Sequence, residues 1–177
     1  MKIYIACLAA YNSGILHGSW VNCDGLDSND IQVEIDKVLD SSPIEDAEEY
    51  AIHDYDYEEG VNFNFGEYED IENIVAAQEL CDSIDDYCSE AIEHALEYVI
   101  EIQDAKQWLE NNYFGEYESI EGFGYEYAEM CGISSDNPLY NYVDFERYGE
   151  GILQDMSYTH KQSKYGKTQE IIVFTQA

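Results

Sequence analysis

Basic residues are nearly missing from the middle of this chain. Seven Lys and Arg stand against 39 Asp and Glu in 177 residues, which gives a formal net charge of −32. From Val38 to Glu146 the only Lys or Arg is Lys106, and residues 45–129 contain 27 carboxylates. A charge of this sign repels nucleic acids and anionic membrane surfaces. We therefore expect neither as a partner, whereas a basic protein surface or a set of cations would be attracted.

The chain also lacks the marks of a secreted, membrane-spanning or zinc-binding protein. Its five cysteines are odd in number and form no Cys-x-x-Cys pair, which argues against a disulfide framework and against a zinc ribbon. No apolar run approaches the roughly 18 residues of a membrane helix, and Met1–Leu8 is too short for a signal peptide. These absences predict a soluble protein of the reducing cytoplasm.

No motif indicates a catalytic, metal or cofactor site. None of the four histidines lies in a His-Glu-x-x-His motif or at ligand spacing from a cysteine. Gly122-Phe123-Gly124 lacks the third glycine of a dinucleotide-binding loop. Paired carboxylates can hydrolyse glycosides, but some pairing is unavoidable among 39 acids. We predict no catalytic residue, no metal and no cofactor, and keep a carboxylate hydrolase as a minor alternative.

The hydrophobic pattern predicts an α+β fold. Strands are expected at Lys2–Leu8 and Ile15–Val21 (a hairpin), at 54–57 and at Glu170–Thr175. Helices are expected at Ile31–Leu39, from a capping box at Ser42–Glu45 to His53, at Glu67–Leu80, at Ile120–Met130 and at Val143–Leu153, with a turn at Tyr113–Tyr117. We divide the chain into an amino-terminal α+β domain (1–62), a central acidic helical domain (63–112) and a carboxyl-terminal α+β domain (113–177).

The most unusual stretch runs from Asp82 to Asp104. Read as one helix, it places seven carboxylates on one face at intervals of three and four residues; these are Asp82, Asp86, Glu90, Glu93, Glu97, Glu101 and Asp104. No Lys or Arg lies between them, and like charges four residues apart repel by a few tenths of a kcal/mol. A break near Cys81–Asp85 would remove Asp82 from this face. A solvated outer face and halophilic adaptation are the alternative explanations, although halophilic adaptation should spread acids evenly.

Four segments, in order, resemble the ArdA antirestriction proteins. They are Met1–Asn22 (MKIYIACLAAYNSGILHGSWVN), Glu48–Tyr55 (EEYAIHDY), Tyr113–Ser119 (YFGEYES) and Tyr142–Gly149 (YVDFERYG). The first two are the more specific, and together the four extend over nearly the whole chain. Cys7 stands where a polar or acidic residue is expected, and the chain is somewhat longer than typical, which bears on subtype.

The resemblance implies a DNA mimic carried by mobile elements. Family members are elongated, three-part α+β subunits that pair through their carboxyl-terminal domains. They occupy the DNA-binding groove of Type I restriction–modification enzymes, in the methyltransferase core. The seven carboxylates between Asp82 and Asp104, called the acidic stripe below, would then stand in for phosphates. We place the family's short acidic antirestriction motif on Tyr113–Glu129. That placement adds five candidate phosphate mimics: Glu116, Glu118, Glu121, Glu126 and Glu129.

A dimer interface is expected in the carboxyl-terminal third, because two subunits of this charge repel each other unless the seam is apolar and partly neutralised. The aromatic residues there, together with the first basic residue after Lys106, supply both properties. The predicted interface residues are Tyr140, Tyr142, Phe145, Arg147 and Tyr148. The many tyrosines among the acids are typical of an interface and equally of a small core.

An acidic chaperone, or sink, for a basic DNA-binding protein is the alternative function from another class. Such a protein needs negative charge but no particular shape. Displacement of DNA from a Type I methyltransferase, compared with displacement by polyglutamate of equal charge, separates the two hypotheses.

Overall fold

Helices and antiparallel strands alternate along the chain, which confirms the predicted α+β class. The computed structural model describes residues 1–57, 61–163 and 166–175. Within these residues no helix is both long and apolar enough to cross a membrane, and all five cysteines are free thiols.

The residues group into two compact units. One comprises Met1–Ser89 and Val99–Lys106, and the other comprises Glu90–Tyr98 and Gln107–Ala177. A compact unit of this kind can hold more than one domain, so the division into three domains at residues 62 and 112 stays a prediction.

The first unit is built around a three-stranded antiparallel sheet in the order β2-β1-β3. Its elements are β1 (Lys2–Cys7), α1 (Leu8–Asn12), β2 (Gly18–Asn22), α2 (Ser28–Asp40), β3 (Tyr50–Asp56), α3 (Ile71–Asp82) and a 3₁₀ turn (Ile102–Asp104). The predicted hairpin is confirmed, because β1 and β2 pair with Ile3 opposite Val21. The predicted helix at Ile31–Leu39 is confirmed as α2, which begins with a capping box between Asp27 and Asp30.

The helix predicted from Ser42 to His53 is wrong. Instead of capping a helix, the Ser42 hydroxyl accepts a hydrogen bond from the Ile44 amide at 3.2 Å, in a local turn. The chain then enters β3, where Ala51 and Ile52 are buried and pair with β1. Burial of this strand against the sheet outweighs the local helix signal.

The second unit holds a three-stranded antiparallel sheet in the order β4-β6-β5. Its elements are α4 (Ser89–Tyr98), most of α5 (Ala105–Asn112), β4 (Tyr113–Tyr117), α6 (Ile120–Met130), a 3₁₀ turn (Tyr140–Tyr142), α7 (Phe145–Ile152), β5 (Ser157–Ser163) and β6 (Gly166–Phe174). The first residue of α4 and the first two of α5 belong to the first unit. One cluster of its buried core consists of Phe123, Leu153, Ile171 and Val173. The predictions of α6, α7 and the last strand are confirmed. The predicted turn at Tyr113–Tyr117 is wrong, because this segment pairs with β6 as a strand.

The single helix predicted from Asp82 to Asp104 is also wrong. The chain is helical to Asp82, turns through 83–88, forms α4, breaks at 99–101 and resumes in the 3₁₀ turn before α5. At the first break the Ser83 hydroxyl donates to the Leu80 carbonyl oxygen at 2.7 Å, a side-chain bond that competes with helix continuation. At the second break Val99 and Ile100 are β-branched and Glu101 is extended. Repulsion between neighbouring carboxylates favours interruption at both places.

Two helices of the second unit cross at a pair of glycines. A Cβ on Gly124 of α6 would overlap the carbonyl oxygen of Phe145 and approach the amide nitrogen of Gly149 in α7 to 2.9 Å. Gly149 is buried in turn against the backbone of Ile120. The close approach of α6 and α7 therefore requires glycine on both helices.

Replacing Gly124 by Ala should lower the free energy of unfolding by about 1–3 kcal/mol, the usual range for overpacking. Gly151→Ala is the matched control, since Gly151 also lies in α7 and a Cβ there would meet nothing within 4 Å. Alanine at that position should leave stability equal or raise it by up to about 1 kcal/mol. Urea unfolding of both variants measures the difference, and equal stability would contradict this description of the crossing.

Candidate protein-binding surface

One short helix retains the acidic face that was predicted for the whole stretch. In α4, Glu90, Glu93 and Glu97 follow each other at intervals of three and four residues, so they share one face. Ala91, Ile92 and Ala95 are fully buried on the opposite side. The alternation of acid and apolar residues therefore holds α4 in place and presents its carboxylates outward.

The α4 carboxylates influence one another. The pKa of Glu93 is raised, first by partial burial of its carboxyl group and then by the charges of Glu90 and Glu97. Glu93 is exposed as a whole residue. The partial burial of its carboxyl group and the two neighbouring charges nevertheless all raise its pKa. Glu90 has a further role, because its Oε1 accepts a hydrogen bond from the Gln162 amide of β5 at 2.7 Å. The three carboxylates of α4 therefore repel one another, and the hydrogen bond to β5 fixes the position of Glu90.

A histidine on the same helix does not offset these charges. His94 stacks on Phe174 with ring centroids 4.3 Å apart, and its Nε2 lies 3.2 Å from the Ser157 hydroxyl. Burial lowers the pKa of His94, and the charge of Glu97 opposes that shift only in part. Burial among aromatic rings, which also include that of Trp108, therefore favours the neutral imidazole.

The other four residues of the predicted stripe lie outside α4. Asp82 ends α3, Asp86 lies in the following turn, Glu101 precedes the 3₁₀ turn and Asp104 ends it. All four are exposed. They belong to the first compact unit, whereas Glu90, Glu93 and Glu97 belong to the second. The seven acids are therefore exposed or, in the case of Glu90, partly exposed, but they do not form one continuous helical face.

The five carboxyl-terminal candidates differ in their surroundings. Glu116 of β4 forms an ion pair with Lys161 of β5, so its charge is already matched within the chain. Glu118 precedes α6, and Glu121, Glu126 and Glu129 are exposed on it. Glu129 accepts a hydrogen bond from the Tyr125 hydroxyl at 3.3 Å. The four candidates other than Glu116 are therefore exposed, whereas Phe123 of the same helix faces the core.

The predicted dimer residues lie in the 3₁₀ turn at Tyr140–Tyr142 and in the first half of α7. Tyr142 is 86% exposed, whereas Tyr140 and Phe145 are half-buried against each other with ring centroids 5.1 Å apart. Tyr148 is half-buried beside Tyr127. The Arg147 guanidinium is exposed and forms no ion pair within the described part of the chain. Sequence reasoning overlooked Met130 and Leu139, which are 63% and 69% exposed.

Comparison with known protein families shows to which family the chain belongs. The family described as Antirestriction protein (ArdA) matches residues 3–166, which is nearly the whole length. The chain belongs to the ArdA family. A comparison with curated proteins gave no match. Membership in ArdA implies an antirestriction function, with restriction–modification enzymes as targets and inhibition instead of catalysis as the activity.

Nothing in the described residues gives this ArdA protein a metal centre. They contain no group of three or more His, Cys, Asp or Glu side chains arranged to hold a metal ion. The carboxylates are spread over several elements instead of converging on a single point.

The raised pKa of Glu93 leads to a prediction about stability. An acid whose pKa is raised on folding stabilises the folded state below its unfolded pKa, and that stability is lost as pH rises through the folded pKa. Glu93→Gln should therefore raise the free energy of unfolding at pH 7. The gain should disappear below the ordinary glutamate pKa of about 4.3, where both states are protonated.

Urea unfolding, monitored by tryptophan fluorescence at several pH values, measures this effect. Glu110→Gln, an exposed glutamate of α5, controls for the loss of one negative charge. A gain at pH 7 that is no larger for Glu93 than for Glu110 would contradict the coupling within α4.

Proposed function

We propose that this protein is a DNA mimic that occupies the DNA-binding groove of Type I restriction–modification enzymes, at the methyltransferase core. The exposed carboxylates substitute for phosphates, and the two folded units hold them in place. The observation that carries this proposal is the density of acids with almost no basic residue in the same stretch, 27 in residues 45–129 with Lys106 as the only Lys or Arg there.

The charge is of the right magnitude for such a competitor. Duplex DNA carries about one charge per 1.7 Å of its axis, and proteins that bind it do so largely through Lys and Arg contacts with phosphate. A chain of net charge −32 therefore matches roughly 54 Å of duplex. A groove selected for polyanions would attract this surface through the same basic residues.

A DNA mimic differs from a flexible polyanion because its folded structure holds the carboxylates in fixed positions. The acids of α4 are held by Ala91, Ile92 and Ala95, and those of α6 by Phe123 and Ala128, all fully buried. A pre-ordered array loses less conformational entropy on binding than a flexible acidic chain does. This argument favours mimicry over the alternative of an acidic sink, for which order brings no advantage.

Competition for a Type I methyltransferase tests the proposal. A labelled duplex that contains the recognition sequence is bound to the purified enzyme, and the protein or polyglutamate of equal total charge is added. We expect the protein to displace DNA at near-stoichiometric amounts and polyglutamate to fail. Equal displacement by both would show that shape does not matter.

The same comparison with a histone-like protein in place of the methyltransferase provides the control. An acidic sink would remove DNA from any basic protein, so equal potency on both proteins would favour the alternative function. A mimic of DNA in a methyltransferase groove should act far more strongly on the methyltransferase.

We also propose that the protein is a homodimer joined through its carboxyl-terminal part, at the five residues around α7. Exposed Tyr142 and the neighbouring aromatic residues would supply apolar area, and Arg147 would pair with an acid across the two-fold axis. Repulsion between the subunits opposes this association and is screened over about 8 Å at physiological salt.

The dimer should therefore tighten as salt rises, while binding to the basic groove weakens. Sedimentation equilibrium and methyltransferase binding, both measured between low and high salt, test the two trends. Tyr142→Ser should weaken the dimer, whereas Tyr68→Ser, at a 75% exposed tyrosine outside the predicted interface, should not. A dimer that dissociates in high salt would mean that ion pairs, and not apolar packing, hold it.

A further inference from the structure

One face of α3 forms the wall of a cavity within the first unit. The cavity has a volume of about 250 Å³ and is also lined by Ser28 of α2, by Ile102 and Gln103 of the 3₁₀ turn and by Lys106 at the start of α5. The α3 residues that line it follow the helical repeat: Glu72, Val75, Ala76, Glu79 and Leu80. This is a helical face left partly uncovered by the rest of the unit.

The lining divides into an apolar floor and acidic ends. Ala76 and Leu80 are buried and Val75 is half-buried, whereas Glu72 and Glu79 are exposed. The two glutamates are seven residues apart, which corresponds to about 10 Å along the helix. A side chain bound in this cavity would therefore contact apolar residues along its length and a carboxylate near each end.

We propose that this cavity receives an arginine side chain from the basic groove of the target enzyme, an inference that rests on the proposed function. An arginine has the matching composition, because its methylene stem packs on apolar surface while its guanidinium remains charged. The planar guanidinium also fits a carboxylate through two parallel hydrogen bonds. Buried arginines are frequent hot spots of protein interfaces.

Lys106 makes the cavity unusual for this protein. It lines the same cavity, yet it forms no ion pair within 4 Å among the described residues, although Glu72 and Glu79 are its neighbours there. Its charge opposes an incoming guanidinium. Removal of this lysine should therefore strengthen binding by more than the loss of a positive charge elsewhere would.

Filling the cavity without a change of charge is the direct test. Val75→Phe places a larger side chain on the floor, and Val33→Phe on α2, where Val33 is 50% exposed, is the matched control. In the DNA-competition assay, Val75→Phe should weaken binding to the methyltransferase about thirtyfold, the lower end of the range for an interface hot spot. Val33→Phe should change it less than about twofold, because it lies outside the cavity.

Charge variants provide a test that does not depend on packing. Replacing Glu72 and Glu79 by Gln should weaken binding more than replacing the exposed pair Glu48 and Glu49 by Gln. Lys106→Gln should tighten binding more than Lys37→Gln, which removes the same charge from an ion pair with Glu34. Equal effects within each pair, with no difference between the two Phe variants, would overturn the cavity proposal and leave mimicry intact.

A titration without the enzyme separates this inference from the proposed function. Tri-arginine added to the isotope-labelled wild-type chain should shift the amide resonances of residues 72–80 and 102–106. Tri-lysine should shift them less, and Val75→Phe should abolish the difference. If the wild-type protein fails to displace DNA, the proposed function fails, but the arginine site stands or falls by this titration. Equal shifts from both peptides would overturn it.

Discussion

Repulsion among like charges is the constraint on which the rest of this structure depends. Between Val38 and Glu146 the chain has one Lys or Arg to offset a long series of acids, so folding must accommodate most of these carboxylates with no basic residue near them in the sequence. Two small cores make this possible, one around the sheet β2-β1-β3 and one around Phe123, Ile171 and Val173. Apolar burial in these cores offsets the electrostatic cost at the surface. The pKa of Glu93, raised first by partial burial and then by the charges of Glu90 and Glu97, reflects part of that cost.

Local sequence patterns correctly predicted those helices and strands that form because of their own residues. The strand β1, the helix α2 and the helix α6 follow from hydrophobic period and capping. Long-range pairing decided the failures: β4 forms because β6 lies beside it, and β3 replaces a helix because β1 accepts Ala51 and Ile52. The acidic stretch failed for another reason, since its three- and four-residue spacing continues through Val99 and Ile100, where the backbone leaves the helix.

The candidate surface was predictable in composition but not in arrangement. Charge alone indicated a basic partner, and all twelve predicted acids are exposed or partly exposed, although Glu116 is matched by Lys161. The cavity beside α3 could not be foreseen, because Leu80 and Lys106 meet there only after two breaks in the intervening chain. A weak signal existed in the spacing of Glu72, Val75, Ala76 and Glu79, which marks one helical face with mixed chemistry.

The central claim, that this ArdA protein and DNA use the same groove, is tested most directly by the form of their competition. The apparent dissociation constant of the labelled protein for a Type I methyltransferase is measured at increasing concentrations of duplex that contains the recognition sequence. Mutually exclusive binding predicts that this constant rises linearly with free DNA and reaches no plateau. A rise that levels off would mean that both ligands bind the enzyme at once, and would contradict mimicry.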